Sequence, residues 1–211
     1  MLFMIMGRIF ILLVLFMSIF FVGKAAVAIE EVKYTVVEKE GDFELRDYEP
    51  FIVAETLVEG DFSAVGNVGF RRLYDYISGN NRKQASISMT APVTQEARSE
   101  KISMTAPVTQ ENQGGKWRIT FMMPSQYSMK TLPEPLDPNV KLKQESKRVV
   151  AALRYSGTWS QKRYSEKEAR LFEWIEKRGF RAVGEPVFAR YNSPFMPWFL
   201  RRNEVLIPVA R

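Results

Sequence analysis

The sequence predicts an α+β domain: a distorted antiparallel β-barrel of two pseudo-symmetric ββαβ-type repeats, flanked by two helices and preceded by an N-terminal apolar leader helix. Three observations carry this expectation. Arg72-Leu-Tyr-Asp-Tyr-Ile77 and Arg170-Leu-Phe-Glu-Trp-Ile175 match residue type for residue type at an offset of 98, and Gly60-Asp-Phe62 matches Gly157-Thr-Trp159 at an offset of 97. A strand precedes each matched glycine, and Phe43–Tyr48 and Trp117–Met122 alternate apolar and polar residues, the period of half-buried strands. Ahead of all this, residues 9–22 are almost wholly apolar. Two strand–helix units of this kind bury their apolar faces by joining their strands into one curved sheet with a helix packed on each half.

In chain order, Ile9–Val22 follows Arg8 and is succeeded by Ala26-Val27-Ala28, a small-x-small pattern just before Glu30-Glu31. This is the layout of an export signal. Fourteen helical residues span roughly 21 Å, against a hydrocarbon core of about 30 Å. Counting back to Leu2 reaches a spanning length only by burying Arg8. Residues 1–28 therefore read either as a cleaved signal peptide or as an anchor attached to the membrane through residues 1–23. Both readings put the folded part, 29–211, outside the cytoplasm, in the periplasm or on the outer face of the inner membrane.

Tyr34–Val37, Phe43–Tyr48 and Phe51–Val58 read as strands, with Gly41-Asp42 turning between the first two. In the second, Phe43 and Leu45 alternate with Glu44 and Arg46, which predicts one wet face. Ser63–Ile77 reads as a helix whose apolar positions Phe70, Tyr74 and Ile77 fall at i, i+4 and i+7 beside Leu73. Gly66 and Gly69 weaken its first turn and suit a close approach to its backbone. Ile87–Glu96 and Ile102–Glu111 are the same ten residues, a tandem duplication with strand alternation and a proline that belongs at an edge or a strand end. Trp117–Met122, Val140–Gln144 and Val149–Ser156 are further strands, and Pro124, Pro133, Pro135 and Pro138 mark an irregular connection. Ser165-Glu-Lys-Glu168 reads as a capping box opening a second helix to Arg178, with Gly179 at its end and i, i+4 pairs Glu166/Arg170 and Glu173/Lys177.

Composition narrows the chemistry. The chain has no cysteine and no histidine, which excludes disulfides, thiolate catalysis and every site that needs imidazole. The net charge of +6 falls to +4 without Arg8 and Lys24, and no Lys/Arg run exceeds two residues, so nucleic acid is not an expected partner. The acids Asp42/Glu44 and Glu134/Asp137 sit in turns and loops, where solvated carboxylates are ordinary, and Gly60, Gly66 and Gly69 lack phosphate-loop spacing. The expectation is a monomeric binding module and not an enzyme, with no catalytic residues and no protein metal site. Pro194-Phe-Met-Pro-Trp-Phe-Leu-Arg-Arg202 puts large apolar side chains, Phe195, Met196, Trp198, Phe199 and Leu200, in a proline-restrained loop. It reads either as a plug for the barrel or as the wall of an apolar pocket with an arginine for a carboxylate.

Met-Thr-Ala-Pro-Val, at 89–93 and again at 104–108, resembles the signature of the SOUL haem-binding family. Trp117–Pro124, Leu132–Pro135 and Tyr191–Glu204 fit the same family in the same order, and the resemblance runs from about Tyr34 to Val209. The doubled motif resembles a form carried by some bacterial members. The resemblance implies a distorted barrel flanked by two helices, similar to the effector-binding domains of certain bacterial regulators. It implies haem or another tetrapyrrole as ligand, lying between the first helix and a late loop. By position, that nominates Val68, Phe70, Arg71, Tyr74 and Ile77 on the helix, and Phe195, Met196, Trp198 and Arg201 on the loop. Some family members are credited with a histidine ligand to iron, and this chain has none. Met196 and Tyr74 are the candidates left, so haem is expected without a strong axial protein ligand. The expected function is transport or buffering of the tetrapyrrole outside the cytoplasm. The alternatives are a binding module for another amphipathic small ligand, or an envelope module whose apolar loop meets a membrane or a protein.

Overall fold

The computed structural model describes residues 29–83 and 99–211. The leader and the first copy of the repeated decapeptide lie outside the described residues. In chain order the elements are β1 (Tyr34–Glu40), β2 (Phe43–Tyr48), β3 (Phe51–Val58), α1 (Phe62–Ile77), β4 (Asn81–Arg82), β5 (Val108–Gln113) and β6 (Lys116–Met122). Then follow β7 (Glu134–Pro135), β8 (Lys141–Glu145), β9 (Arg148–Tyr155), α2 (Gln161–Lys177), β10 (Arg181–Ala182), β11 (Val187–Arg190), a 3-10 turn at Trp198–Leu200 and β12 (Asn203–Ala210).

One antiparallel sheet holds most of the chain, in the order β1-β2-β9-β12-β11-β5-β6-β3-β8, with β10 paired to β12. It curls into a half-barrel. The distorted barrel expected from the sequence is thus a half-barrel: among the described residues β1 and β8 end the sheet without pairing to each other. Both edges carry charges, Glu38, Lys39 and Glu40 on one and Lys141, Lys143 and Glu145 on the other, and β1 is also bulged between Val36 and Glu38. Charged and bulged edges resist further pairing. The second copy of the decapeptide supplies β5 from Val108 onward, with Pro107 at the strand's start. Gly114 and Gly115, both at positive φ, make the tight turn into β6.

Both helices pack on one face of the sheet. α2 covers Leu45, Leu153, Phe188, Val205 and Ile207 with Leu171, Trp174 and Ile175. It starts a turn earlier than the sequence suggested: Ser160 is the N-cap and accepts from the Arg163 amide at 3.4 Å, so Ser165 lies inside the helix. The extra turn buries Tyr164, which stacks on Phe62. The expected Glu166–Arg170 and Glu173–Lys177 pairs are not among the ion pairs of the described residues, and Arg170 lies over the Phe43 ring.

The inward stripe of α1 is Phe62, Val65, Gly66, Gly69, Leu73, Tyr76 and Ile77. Phe70 and Tyr74, expected to share the core face, instead stack on each other at the edge of that stripe, 37% and 50% exposed. The glycines explain the rotation. An added Cβ at Gly69 would collide with the Ile119 side chain on β6. At Gly66 it would meet Arg190 Nη1 and Gln110 Oε1, each at 3.1 Å. The helix thus lies on the sheet through its two smallest residues.

The opposite face of the sheet is also unlike the expectation. The Glu44/Arg46 face of β2 is not wet: Arg46 is 1% exposed and pairs with Glu204, which is 0% exposed. Likewise Arg118 on β6 is buried among Glu55, Glu111 and Glu145. The curl of the sheet shuts these polar positions in, and ion pairs satisfy them.

Gly69→Ala is predicted to lower unfolding stability by about 1–3 kcal/mol through overpacking against Ile119, although alanine is the better helix former by up to about 1 kcal/mol. Urea denaturation measures this, and an unchanged or higher midpoint contradicts the close-packing argument.

Candidate ligand-binding cleft

Besides charge-rimmed hollows of about 650 Å³ beside Glu40 and Arg170 and about 460 Å³ beside Glu30 and Lys130, two spaces compete as the site. On the concave face, among Tyr48, Arg118, Glu145 and Leu206, the cavity is about 40 Å³, room for a water or two. On the helix side, a cleft of about 300 Å³ opens between α1 and the start of the β11–β12 loop. A volume of that order is where small-molecule pockets begin. Its walls are Gly66, Phe70 and Tyr74 on α1, Met104, Ala106 and Val108 from the repeated motif, and Trp159 ahead of α2. Tyr191–Pro194 form the loop side, and Ile29 lies at the rim.

Most of that lining is apolar, with Asn67, Thr105, Asn192 and Ser193 as uncharged polar residues and Arg190 as the one charged residue among those described. The period-2 pattern of β11 puts Arg190 on the face of Phe188, turned toward the helices. Its Nη2 donates to Gln110 Oε1 at 3.0 Å, and Gln110 Nε2 donates in turn to the Phe62 carbonyl at 2.9 Å. The guanidinium lies 5.0 Å from the Trp159 ring centre and 4.9 Å from that of Phe188. Its Nε is buried without a partner, and no ion pair joins it to an acid among the described residues. Burial pushes this guanidinium down to about 10, with only Tyr155 acting in the opposite sense. A cation so desolvated and so poorly paired lacks an anionic partner.

The loop beyond the cleft is fixed at its base. The Arg202 amide donates to Asn192 Oδ1 at 2.6 Å, closing the loop. The Arg202 guanidinium bonds Glu31 and Glu204 and lies 3.7 Å from the Tyr191 ring centre. Glu204 also accepts from Arg46 at 2.6 and 3.0 Å and from the Tyr191 hydroxyl at 2.8 Å. Burial pushes its carboxyl up, but the hydrogen bonds and charge of Arg46, then of Arg202, more than reverse this and hold it below 4.5. One buried carboxylate therefore ties β2, β12 and both ends of the loop together.

Of the residues nominated from the sequence, Phe70 and Tyr74 line the cleft. Ile77 is 4% exposed and belongs to the core beneath α1. Val68 is exposed on α1, and neither it nor Arg71 is among the lining residues. Phe195, Met196 and Trp198 are exposed beyond the cleft, so the loop does not plug the half-barrel. Arg201 donates to the carbonyls of Met196 and Pro194 at 2.8 and 2.7 Å and lies over Trp159 at 4.4 Å. Arg190, Trp159 and Met104 were missed. The alternation Val187-Phe188-Ala189-Arg190 was the available signal, since it carries a cation onto an apolar face.

A family model described as SOUL heme-binding protein matches residues 29–208. Heme-binding protein 2 of Homo sapiens is 28% identical over 174 residues, covering 78% of this chain and 80% of the relative; the protein of the same name from Mus musculus gives the same figures. Among solved structures, the EcmrR C-terminal domain superposes with a TM-score of 0.58 at 11% identity, covering 84% of this chain and 98% of that one. A hydrolase from Listeria innocua superposes with a TM-score of 0.52 at 12% identity, covering 82% and 94%. These two likenesses are of fold alone.

Glu204→Gln is predicted to cost at most roughly 3–5 kcal/mol at pH 7, because buried Arg46 then loses its fully buried carboxylate and keeps only Glu44, 2.8 Å away, as counter-charge. The wild-type carboxylate sits below its unfolded value, so its contribution is complete above about pH 4.5 and is lost as the pH falls through the folded value. Urea unfolding at pH 7 and pH 3.5 should show the gap between wild type and variant narrowing in acid. A gap that does not change with pH contradicts this assignment.

Proposed function

The chain belongs to the SOUL heme-binding protein family, and we propose that the cleft beside α1 binds haem or a related tetrapyrrole for transport or buffering outside the cytoplasm. The observation that carries this reading is the Arg190 guanidinium, desolvated and without an acid partner among the described residues, in the wall of a mostly apolar and otherwise uncharged cleft. Such a group favours a flat, apolar ligand bearing a carboxylate. The macrocycle would lie against Phe70, Tyr74 and Trp159, with a propionate at Arg190. A charge-assisted pair in that desolvated setting is stronger than one in water.

The residues present fit a tetrapyrrole held mainly by contact. With no histidine in the chain, iron has no imidazole to bind. Met104 and Tyr74 stand in the cleft, whereas Met196 lies outside its lining, so a protein–iron bond is weak or missing in this reading. Bound haem would supply iron redox chemistry. The protein residues bind and orient the macrocycle and exclude water from one of its faces. The protein is then a carrier and not an enzyme, monomeric, with no nucleic-acid partner. Its leader delivers it to the periplasm or holds it on the outer face of the inner membrane. We also read the sheet order as two copies of one unit. It keeps its form when β2 is exchanged with β8, β9 with β3, β12 with β6 and β11 with β5, in line with the sequence repeat.

A haem titration of the full chain, followed at the Soret band, tests the reading. Saturable one-to-one binding is expected, weakened about tenfold or more by Arg190→Met, equivalent to about 1.4 kcal/mol, and partly restored by Arg190→Lys. Metal-free protoporphyrin IX should bind within about threefold of haem, since shape and charge carry most of the affinity. Binding indifferent to Arg190→Met, or confined to the iron-bearing ligand, contradicts it.

A further inference from the structure

The β11–β12 loop carries a surface that neither the core nor the cleft uses. Phe195, Trp198, Phe199 and Leu200 are exposed, with Phe195 at 94%, and Met196 sits beside them. A contiguous apolar patch held in water marks an interaction site. The backbone beneath it is well bonded. The Met196 amide donates to the Ser193 carbonyl at 3.0 Å and the Leu200 amide to the Pro197 carbonyl at 2.9 Å, while Arg201 braces Pro194 and Met196 from below. Trp198 and Phe199 meet edge to face at 5.5 Å. The side chains are thus presented outward by a structured loop.

We propose that this loop docks into the headgroup layer of an anionic phospholipid bilayer. Its composition suits that occupant. From Asn192 to Asn203 there is no acid, and Arg201 and Arg202 follow the apolar residues. Arg201 forms no ion pair with an acid among the described residues. Arg202 is neutralised by Glu31 and Glu204, so Arg201 is the cation left to the surface, and Trp, Phe and Leu beside such a cation are the chemistry of interfacial anchoring. Its position suits the same occupant. Ile29 lines the cleft together with Ser193 and Pro194, and Glu31 accepts from Arg202 at 2.9 Å, so the chain reaches the domain beside the loop. Only residues 23–28 separate Ile29 from the apolar run 9–22. That stretch reaches at most about 25 Å when fully extended. With the run in a bilayer, the loop is held at the surface of that same bilayer. The cleft then opens toward the headgroups, where an amphipathic ligand partitions; this last point rests on the tetrapyrrole reading.

The absence of cysteine makes the test direct. Phe199→Cys and, as control, Lys177→Cys at the far end of α2 are spin-labelled in the full chain and reconstituted in vesicles of phosphatidylcholine and phosphatidylglycerol, about 7:3. Power saturation compares access to oxygen and to a water-soluble nickel chelate. The label at 199 should favour oxygen at least fivefold over the label at 177, and Phe195→Ser/Leu200→Ser should abolish the difference. Equal nickel access at the two positions overturns the proposal. So does protection at 199 that appears with rising protein concentration and no vesicles, which would mark a protein–protein face. Neither outcome changes the haem titration, so failure here leaves the ligand reading standing.

Discussion

The close seating of α1 on β6 is the constraint on which the rest of the structure depends. Gly69 gives way to Ile119, and Gly66 gives way to Arg190 and Gln110. With side chains at either position, the helix would have to stand off the sheet. Because it sits close, the buried stripe passes through the glycines, and Phe70 and Tyr74 are turned out as a stacked pair. The same packing makes one edge of the helix the wall of a cleft and leaves Arg190 desolvated inside it. The cost of two helix-weakening glycines and of an underpaired cation is recovered if a carboxylate ligand fills the space, a common relation between binding sites and stability.

The other face of the sheet is stabilised differently. Arg46 and Glu204 are 158 residues apart, on strands that both flank β9, and they meet in the closed curve of the half-barrel. Their network extends through Arg202 to Glu31 and so reaches the base of the loop. Arg118 organises Glu55, Glu111 and Glu145 in the same way on the other half. Buried pairs of this kind add little net stability but penalise any arrangement that separates them. They fix the curl, and the curl fixes where the cleft and the loop stand relative to each other.

Much of this was legible in the sequence where the signal is local. β2 and β6 follow the alternation of their own residues, β3 and β9 follow short apolar runs, and Gly114-Gly115 marks a turn whatever surrounds it. Phe70 and Tyr74 were nominated through the family resemblance, whereas the helical period alone put them on the core face, because it does not report that Gly66 and Gly69 take the buried stripe. Arg46 was misread as solvated, since alternation reports that a strand has two faces but not that the sheet curls over one of them. The start of α2 was missed because Ser165-Glu-Lys-Glu168 is a good cap by itself, and only the packing of Tyr164 on Phe62 and Phe188 extends the helix back to Ser160. Arg190 was missed because its burial depends on Gly66, 124 positions earlier in the chain.

The central claim is that the ligand lies on the helix side, against α1 and Tyr191–Pro194. Paramagnetic broadening of backbone amide signals by ferric haem tests this most directly. Selective loss of signal is expected at Gly66, Asn67, Phe70, Tyr74 and Asn192, with Arg46, Arg118 and Glu145 on the concave face unaffected. Broadening centred on Arg118 and Glu145, or spread evenly over the surface, would contradict it.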